Sequence, residues 1–129
     1  DLPANLNGVE VKVRKGLALS EATLASTSPK MFVGKDAERI LRVQDKVKLP
    51  IFGGDCYLYG MLSLVTIDLV IEASMSDYDY LAPTAMVHAA GGVVTGWAGE
   101  QLGLGTTDKI VAAGDPKLHA EVIKLLNDD

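Results

Sequence analysis

Residues 68–95 read DLVIEASMSDYDYLAPTAMVHAAGGVVT, and the strands, turn and helix in this stretch decide the fold. Residues 69–71 are apolar and mostly β-branched, which predicts a short strand buried on both faces. Residues 81–90 are rich in alanine and predict a helix, which two glycines then end. Residues 93–95 begin a further strand. The stretch therefore predicts a strand, a turn, a helix and a second strand in succession.

Three carboxylates lie between the first strand and the helix of this stretch. Glu72 follows the strand directly, and Asp77 and Asp79 lie in the polar turn after it. In open α/β sheets, ligands bind at the carboxyl ends of the strands. These carboxylates therefore indicate a candidate functional site.

The rest of the chain continues the alternation of strands and helices. Further strands are predicted at 9–13, 22–26, 49–52 and 109–113, and further helices at 36–47, 55–65 and 116–126. Pro50 lacks a backbone N–H, so we expect the strand at 49–52 to be an edge strand or irregular. This order predicts an α/β fold with a layered sheet and flanking helices.

Composition limits the classes of protein to which the chain can belong. Its 129 residues, 48% of them hydrophobic, predict a single α/β domain over 1–129. The net charge of −5 argues against a nucleic acid as the main partner, because phosphate contacts need a basic surface. No apolar run reaches the roughly 20 residues that span a membrane. A single cysteine, Cys56, excludes an internal disulfide, so we expect a cytoplasmic protein.

Three segments carry a resemblance to a known family. They are GGDCYLYG at 53–60, IEASMSDYDYLAPTAMVHAAGGVVTGWAG at 71–99 and KIVAAGDPKLHAEVIKLL at 109–126. In these segments the chain resembles the inositol monophosphatase family, and within it the histidinol-phosphate phosphatase branch. The resemblance is to the C-terminal half of that family. The chain does not begin with methionine, so we expect a processed or excised piece.

The resemblance implies a Mg²⁺-dependent phosphomonoesterase with an α/β/α/β/α layered fold and a catalytic centre split between two halves. It implies that Asp79 binds the metal and that Glu72 contacts the organic part of the substrate. The turn of Gly53, Gly54 and Asp55 matches the substrate-side loop of the branch. The N-terminal half of the family supplies a Glu-Glu pair and an Asp-Pro-x-Asp-Gly-Thr segment, and the chain contains neither motif. We therefore expect the N-terminal catalytic half to be absent.

Each of these assignments has a structural alternative. Asp79 would only help to start the following helix if Pro83 lay in the first turn of that helix. Glu72 would be a solvated charge at a strand end. Asp55 would be the N-cap of the helix predicted at 55–65. Asp77 stands where the family often has proline, so it adds a carboxylate two residues before Asp79.

The other chemically active residues indicate no second site. Cys56 is expected to be packed, His119 to be solvated, and His88 to be structural or partly exposed. Two histidines this far apart give no spacing for a zinc site.

The first functional hypothesis is Mg²⁺-dependent hydrolysis of histidinol phosphate to histidinol and phosphate, as part of a complete enzyme. The alternatives are an inositol-phosphate or sugar-phosphate phosphatase, and a non-catalytic half-domain that binds its missing half. The expected partners are a small phosphorylated substrate and the N-terminal half of the same enzyme or a second copy, which would give an oligomer.

Overall fold

The computed structural model describes residues 2–128, which form a two-stranded hairpin and a five-stranded sheet with helices on both faces. The strands are β1 (Asn5–Leu6), β2 (Val9–Glu10), β3 (Thr23–Ser26), β4 (Leu49–Phe52), β5 (Leu69–Glu72), β6 (Val93–Gly96) and β7 (Ile110–Ala113). The helices are α1 (Lys35–Gln44), α2 (Tyr57–Ser63), α3 (Asp77–Ala89) and α4 (Pro116–Asn127). The predicted α/β class is confirmed.

The large sheet is mixed and has the strand order β4-β3-β5-β7-β6. Strand β3 runs parallel to both β4 and β5, whereas β7 runs antiparallel to β5 and β6. Strand β4, which contains Pro50, is an edge strand as the sequence predicts. Because β3, β4 and β5 are parallel, their carboxyl ends meet at one edge of the sheet.

The central strand β5 is covered on both faces, and all four of its residues are buried. Successive side chains of a strand point to opposite faces. Leu69 and Ile71 pack in the core cluster that contains residues of α1 and α4. Val70 packs in a second cluster with residues of α2 and α3. The alternating side chains of β5 therefore pack against the helices on both faces of the sheet.

Helix α3 begins at Asp77, four residues before the start predicted from the sequence. Ser76 is its N-cap, and Pro83 lies inside the helix rather than in its first turn. The predicted start was wrong because Pro83 was interpreted as part of the first turn. The helix begins earlier, where the Asp79 carboxylate bonds the N–H of Ser76. The strand predicted at 9–13 is also shorter, since only Val9–Glu10 pairs, with β1.

Among residues 2–128, no helix has the length and apolar character needed to cross a membrane.

Candidate substrate and metal site

The carboxyl ends of the three parallel strands bring together residues that are far apart in the sequence. Thr27 follows β3, the turn of Gly53 and Gly54 follows β4, and Glu72 ends β5. The N–H of Gly53 lies 3.1 Å from Ser26 O and 2.9 Å from Thr27 O. These bonds attach the glycine turn to the end of β3, so all three strand ends contribute to one site.

Glu72 is a buried carboxylate that accepts three hydrogen bonds, with only 1% of its surface exposed. The Tyr59 hydroxyl donates to Glu72 Oε2 at 2.8 Å. Thr27 donates to Oε1 through its hydroxyl and through its backbone N–H, the latter at 3.2 Å. The alternative of a solvated strand-end charge is therefore wrong, because β3 and α2 enclose the end of β5.

The turn after β4 depends on its two glycines. Gly53 and Gly54 have φ values of 97° and 108°, which glycine adopts without steric cost. A Cβ on Gly54 would also lie 2.7 Å from Leu58 Cδ2. The turn therefore requires glycine at position 54 both for its backbone conformation and because a side chain would not fit.

Asp55 is exposed and does not cap α2, so the N-cap alternative is wrong. Its φ of 49° is left-handed, whereas an N-cap residue is normally extended. The helix begins at Tyr57 after Cys56, without a side-chain capping bond. Asp55 therefore has no capping role that would explain its carboxylate.

Asp79 is the third residue of α3, and its Oδ2 accepts the backbone N–H of Ser76 at 2.8 Å. Its own N–H lies 2.9 Å from Ser76 O. An acidic side chain near a helix N-terminus also interacts favourably with the helix dipole. Asp79 therefore contributes to the helix start, and its metal-binding role remains a prediction.

Tyr59 connects the three carboxylates assigned from the sequence. Its side chain is 1% exposed. Burial raises the pKa of the Tyr59 hydroxyl well above its usual range, and the Glu72 charge and hydrogen bond raise it further. The charges of Asp79 and Asp55 act on the same hydroxyl in the same direction, to a smaller extent. The negative charges of all three carboxylates therefore act in the same direction on the Tyr59 hydroxyl, and only Glu72 bonds to it.

No role was predicted for Tyr59 from the sequence. It lies in the quoted segment GGDCYLYG, four positions after Asp55, and the helical period places it on the buried side of α2. The position of a tyrosine on the inner face of a helix, next to a carboxylate at a strand end, could have indicated the hydrogen bond between them.

Asp77 has a structural role at the other side of the α3 N-terminus. Its Oδ1 lies 2.6 Å from the Tyr80 hydroxyl and accepts the N–H of Gly105 at 3.0 Å. The hydrogen bond from Tyr80, followed by that from Gly105, lowers the pKa of Asp77. The same bond raises the pKa of Tyr80 to about 12. Asp77 therefore attaches the loop before β7 to α3.

Two predictions about other chemically active residues are wrong. His119 is buried on α4, which packs against β7, and its Nε2 lies 2.7 Å from Thr95 Oγ1 of β6. Cys56 is exposed at the turn before α2 rather than packed. His88 is exposed, and its Nδ1 lies 3.3 Å from Gly92 O.

The oxygen ligands of this site suit Mg²⁺, which prefers carboxylates, water and phosphate oxygens. Within the described residues 2–128, no group of three or more His, Cys, Asp or Glu side chains is arranged to hold a metal ion. Asp79 could therefore supply one carboxylate ligand, with water and phosphate oxygens among the other ligands that Mg²⁺ commonly takes.

Comparison with known proteins gives a consistent result over nearly the whole chain. The sequence model of the Inositol monophosphatase family matches residues 2–129. The chain is 38% identical over 128 residues to the protein named bifunctional phosphatase IMPL2, chloroplastic, of Arabidopsis thaliana. It is 25% identical over 125 residues to a Thermotoga maritima protein named fructose-1,6-bisphosphatase/inositol-1-monophosphatase.

A solved inositol monophosphatase from Zymomonas mobilis superposes with a TM-score of 0.95 at 34% identity, over 99% of this chain and 51% of that one. The inositol monophosphatase from Anabaena shares the fold, with a TM-score of 0.78 at 19% identity over 93% of this chain and 50% of that one. The match to the Arabidopsis protein covers 94% of this chain and 37% of that protein. The match to the Thermotoga protein covers 97% and 47%. The chain therefore spans about half the length, or less, of these relatives.

Proposed function

Because the chain belongs to the inositol monophosphatase family, we propose that it is the C-terminal half of a Mg²⁺-dependent phosphomonoesterase that hydrolyses histidinol phosphate. The observation that supports this proposal is Glu72, which is held at the carboxyl end of β5 by hydrogen bonds from Tyr59 and Thr27. A carboxylate fixed at the carboxyl end of a parallel strand, with the exposed Asp55 at the neighbouring turn, favours a cationic ligand group.

Glu72 and Asp55 are proposed to recognise the organic part of the substrate. Glu72 is held at the end of β5, and Asp55 is exposed at the neighbouring turn. Hydrogen bonds between an ammonium group and a carboxylate are stronger than those between neutral groups. A substrate that carries an amine, such as histidinol phosphate, is therefore preferred over a neutral polyol phosphate.

Asp79 is proposed to bind Mg²⁺ through Oδ1, because Oδ2 already accepts the N–H of Ser76. A bound divalent ion supplies Lewis-acid stabilisation of the oxygens at the phosphoryl group. The role of this chain is to hold one anionic ligand in a fixed position at the start of α3.

An inositol-phosphate or sugar-phosphate substrate is the second candidate. The printed name of the Thermotoga maritima relative refers to fructose bisphosphate and inositol phosphate. Hydroxyl groups also donate to carboxylates, so Glu72 can bind a polyol. The two candidates differ in the charge of the group that Glu72 would contact.

The proposed partner is the N-terminal half of the enzyme, covering the outer side of α2 and α3. Tyr57 and Tyr78 on these helices are 78% and 84% exposed, and Met61 and Met86 are 37% and 38% exposed. An outer helix of a complete domain normally carries polar residues on its solvent side, so these side chains indicate a covered layer. A chain that binds this partner without catalysis is the remaining alternative, and a second copy would give an oligomer.

The test is Mg²⁺-dependent phosphate release from histidinol phosphate and from inositol monophosphate. The chain is assayed alone and after mixing with the N-terminal half of a family member. Activity only in the mixture, with faster release from histidinol phosphate, supports the proposal. Faster release from inositol monophosphate supports the second candidate. A mixture that forms a complex by native mass and releases no phosphate would overturn the enzymatic proposal and favour the binding half-domain.

A further inference from the structure

The irregular segment 97–109, which connects β6 to β7, is attached by hydrogen bonds to the start of α3 and to the turn before it. The N–H of Gly105 donates to Asp77 Oδ1 at 3.0 Å. The N–H of Met75, in the turn between β5 and α3, donates to Asp108 O at 2.9 Å. The segment contains no helix or strand, so its position relative to α3 depends on these contacts.

Asp77 is the centre of this attachment. Its Oδ1 also lies 2.6 Å from the Tyr80 hydroxyl, whose oxygen lies 3.0 Å from Gly103 O. Tyr80 is fully buried, so it provides a fixed donor within the first turn of the helix. The carboxylate of Asp77 therefore connects an irregular surface segment to a side chain of the core.

The turn between β5 and α3 needs contacts of this kind. Ser74 in this turn has a φ of 59°, a left-handed conformation that residues other than glycine rarely adopt. Such a residue persists only where the surrounding structure holds it. Asp79 follows in the first turn of α3, so the direction of its carboxylate depends on the same turn.

Asp77 and Asp79 are two residues apart on α3. A helix turns about 100° per residue, so their side chains leave the helix in nearly opposite directions. Asp77 contacts Gly105 and Tyr80, whereas Asp79 Oδ2 accepts the N–H of Ser76. The two carboxylates therefore have different partners, and they are connected through the backbone of the first turn.

We propose that Asp77 is a positioning residue: by attaching residues 103–105 to the first turn of α3, it holds the Asp79 carboxylate in place for Mg²⁺. This inference rests on the proposed function, because it concerns the proposed metal ligand Asp79. Removal of an outer contact that orients a metal ligand typically weakens metal binding about 10–100-fold. A positioning role requires the acceptor oxygen of Asp77, not its negative charge.

Asp115 provides a matched control for a merely structural role. It also attaches a distant glycine to the start of a helix, since its Oδ2 accepts the N–H of Gly16 at 2.6 Å and its Oδ1 that of Lys117 at 2.8 Å. It follows β7, which runs antiparallel to β5, so it lies at the opposite edge of the sheet from Glu72. Asp115→Ala therefore removes a similar attachment far from Asp79.

The first experiment measures amide hydrogen exchange in this chain and needs neither metal nor turnover. The N–H of Ser76 reports its bond to Asp79, and the N–H of Gly105 reports its bond to Asp77. We expect Asp77→Ala to speed the exchange of both amides about tenfold. Asp77→Asn keeps an acceptor oxygen and should protect both amides as the wild type does. Faster exchange at Gly105 alone would overturn the positioning role.

The second experiment measures the Mg²⁺ dissociation constant by calorimetry in the mixture of this chain with the N-terminal half of a family member. The Mg²⁺ concentration that gives half-maximal phosphate release is measured in parallel. Asp77→Ala should raise both values about tenfold. Asp77→Asn should keep the wild-type values, and so should Asp115→Ala, even where it lowers Tm as much as Asp77→Ala does.

The variants separate failure of this inference from failure of the proposed function. Equal losses of Mg²⁺ affinity in Asp77→Asn and Asp77→Ala, or an equal loss in Asp115→Ala, would overturn the inference. So would unchanged affinity in Asp77→Ala together with lost affinity in Asp79→Asn, and that result would leave the proposed function intact. No Mg²⁺ binding by the wild-type mixture, or wild-type affinity in Asp79→Asn, would instead remove the proposed metal role of Asp79, and the inference with it.

Discussion

Asp79 Oδ2 accepts the backbone N–H of Ser76 at 2.8 Å, which places a carboxylate assigned to metal binding in the first turn of α3. One side chain thus combines a structural contact with a proposed catalytic one. A substitution that removes the side chain would disturb both. The two roles can be separated because they differ in whether they need the negative charge.

The variants Asp79→Asn and Asp79→Ala are predicted to separate these roles. Asparagine keeps an oxygen that can accept from Ser76 and loses the charge that a divalent ion requires. We expect Asp79→Asn to lose only the helix-dipole contribution of the charge, about 0.3–1 kcal/mol, while Mg²⁺-dependent phosphate release by the complete enzyme falls about 100-fold. Asp79→Ala should also lose about 1 kcal/mol of stability, as in other losses of an N-terminal cap. Full turnover with ordinary magnesium dependence in Asp79→Asn would contradict the metal role.

Asp68 is predicted to be among the carboxylates most important for stability. It is 3% exposed, both of its oxygens lie 2.9 Å from guanidinium nitrogens of Arg14, and the Thr23 N–H donates to it at 2.8 Å. Asp68→Asn replaces one acceptor oxygen by a donor that faces Arg14. We expect a loss of about 1–3 kcal/mol in denaturant unfolding, because buried groups lose their partners.

The exposed pair of Lys12 and Glu10 is the matched control for Asp68. Their side chains are 77% and 52% exposed at a separation of 3.2 Å. Glu10→Gln should change the free energy of unfolding by less than about 0.5 kcal/mol, since exposed ion pairs contribute little. Equal effects of the two substitutions would contradict the importance of burial at Asp68.

Asp115 is predicted to make stability depend on pH in the acid range. The N–H of Gly16, 2.6 Å from Oδ2, and that of Lys117, 2.8 Å from Oδ1, lower the pKa of Asp115 below its usual value of 3.8. The charged form is therefore favoured in the folded state. The charged Asp115 carboxylate therefore stabilises the folded state above pH 3.8. This stabilisation is lost as the pH falls through the lower pKa that Asp115 has in the folded state.

Urea unfolding of the wild type and of Asp115→Asn from pH 6 to pH 2.5 measures this contribution. The stability difference between them should narrow as pH falls through the acid range. Asp45 is exposed beyond the end of α1, so Asp45→Asn serves as the control and should run parallel to the wild type. A pH-independent difference between the wild type and Asp115→Asn would contradict the prediction.

Local patterns in the sequence predicted most of the elements, because burial and turn chemistry there act over short distances. The apolar run at 69–71 gave the central strand, and Asp115 with Pro116 gave the start of α4. The errors arose where contacts from distant parts of the chain decide the outcome. His119 is buried because α4 packs against β7 and brings His119 to Thr95 of β6, which the polar neighbours of His119 in the sequence did not indicate.

The candidate site was predictable in its residue types and only partly in its geometry. Glu72 could be placed at a strand end from its position alone. Its burial depends on Thr27 and Tyr59, which are 45 and 13 residues away in the chain. Asp55 was misassigned as an N-cap because the two preceding glycines produce a left-handed turn that residue type alone does not specify. The burial and hydrogen bonds of the site therefore depend on tertiary contacts, which the spacing of residues in the sequence does not show.

Two glycines are predicted to respond in opposite directions to replacement by alanine. A Cβ on Gly92 would lie 2.6 Å from Val87 Cγ1 and 2.9 Å from the backbone oxygen of Ala113. A Cβ on Gly60, inside α2, would meet nothing within 4 Å. We expect Gly92→Ala to cost about 1–3 kcal/mol through overpacking, and Gly60→Ala to gain about 0.5–1 kcal/mol through helix propensity. Thermal and denaturant unfolding measure both, and a destabilising Gly60→Ala would contradict the space found at that position.

His119 is predicted to lower stability on mild acidification. Thr95 Oγ1 donates its proton to Gly96 O at 2.8 Å, so His119 Nε2, 2.7 Å away, must carry the hydrogen and donate to Thr95. Burial lowers the pKa of His119 below its usual value of 6.5. The folded state therefore holds a neutral ring, while the unfolded state becomes protonated as pH falls below 6.5.

The sign of the effect follows from this difference in proton binding. Well above pH 6.5 the ring is neutral in both states, so its titration does not affect stability there. As pH falls from 6.5 towards the lower folded-state pKa, the unfolded state binds more protons, so the free energy of unfolding decreases. His119→Gln should flatten this decrease in urea unfolding between pH 7.5 and 5. His88→Gln, at the exposed histidine, serves as the control and should keep the wild-type slope. The same slope in all three proteins would show that the buried ring of His119 does not cause the decrease.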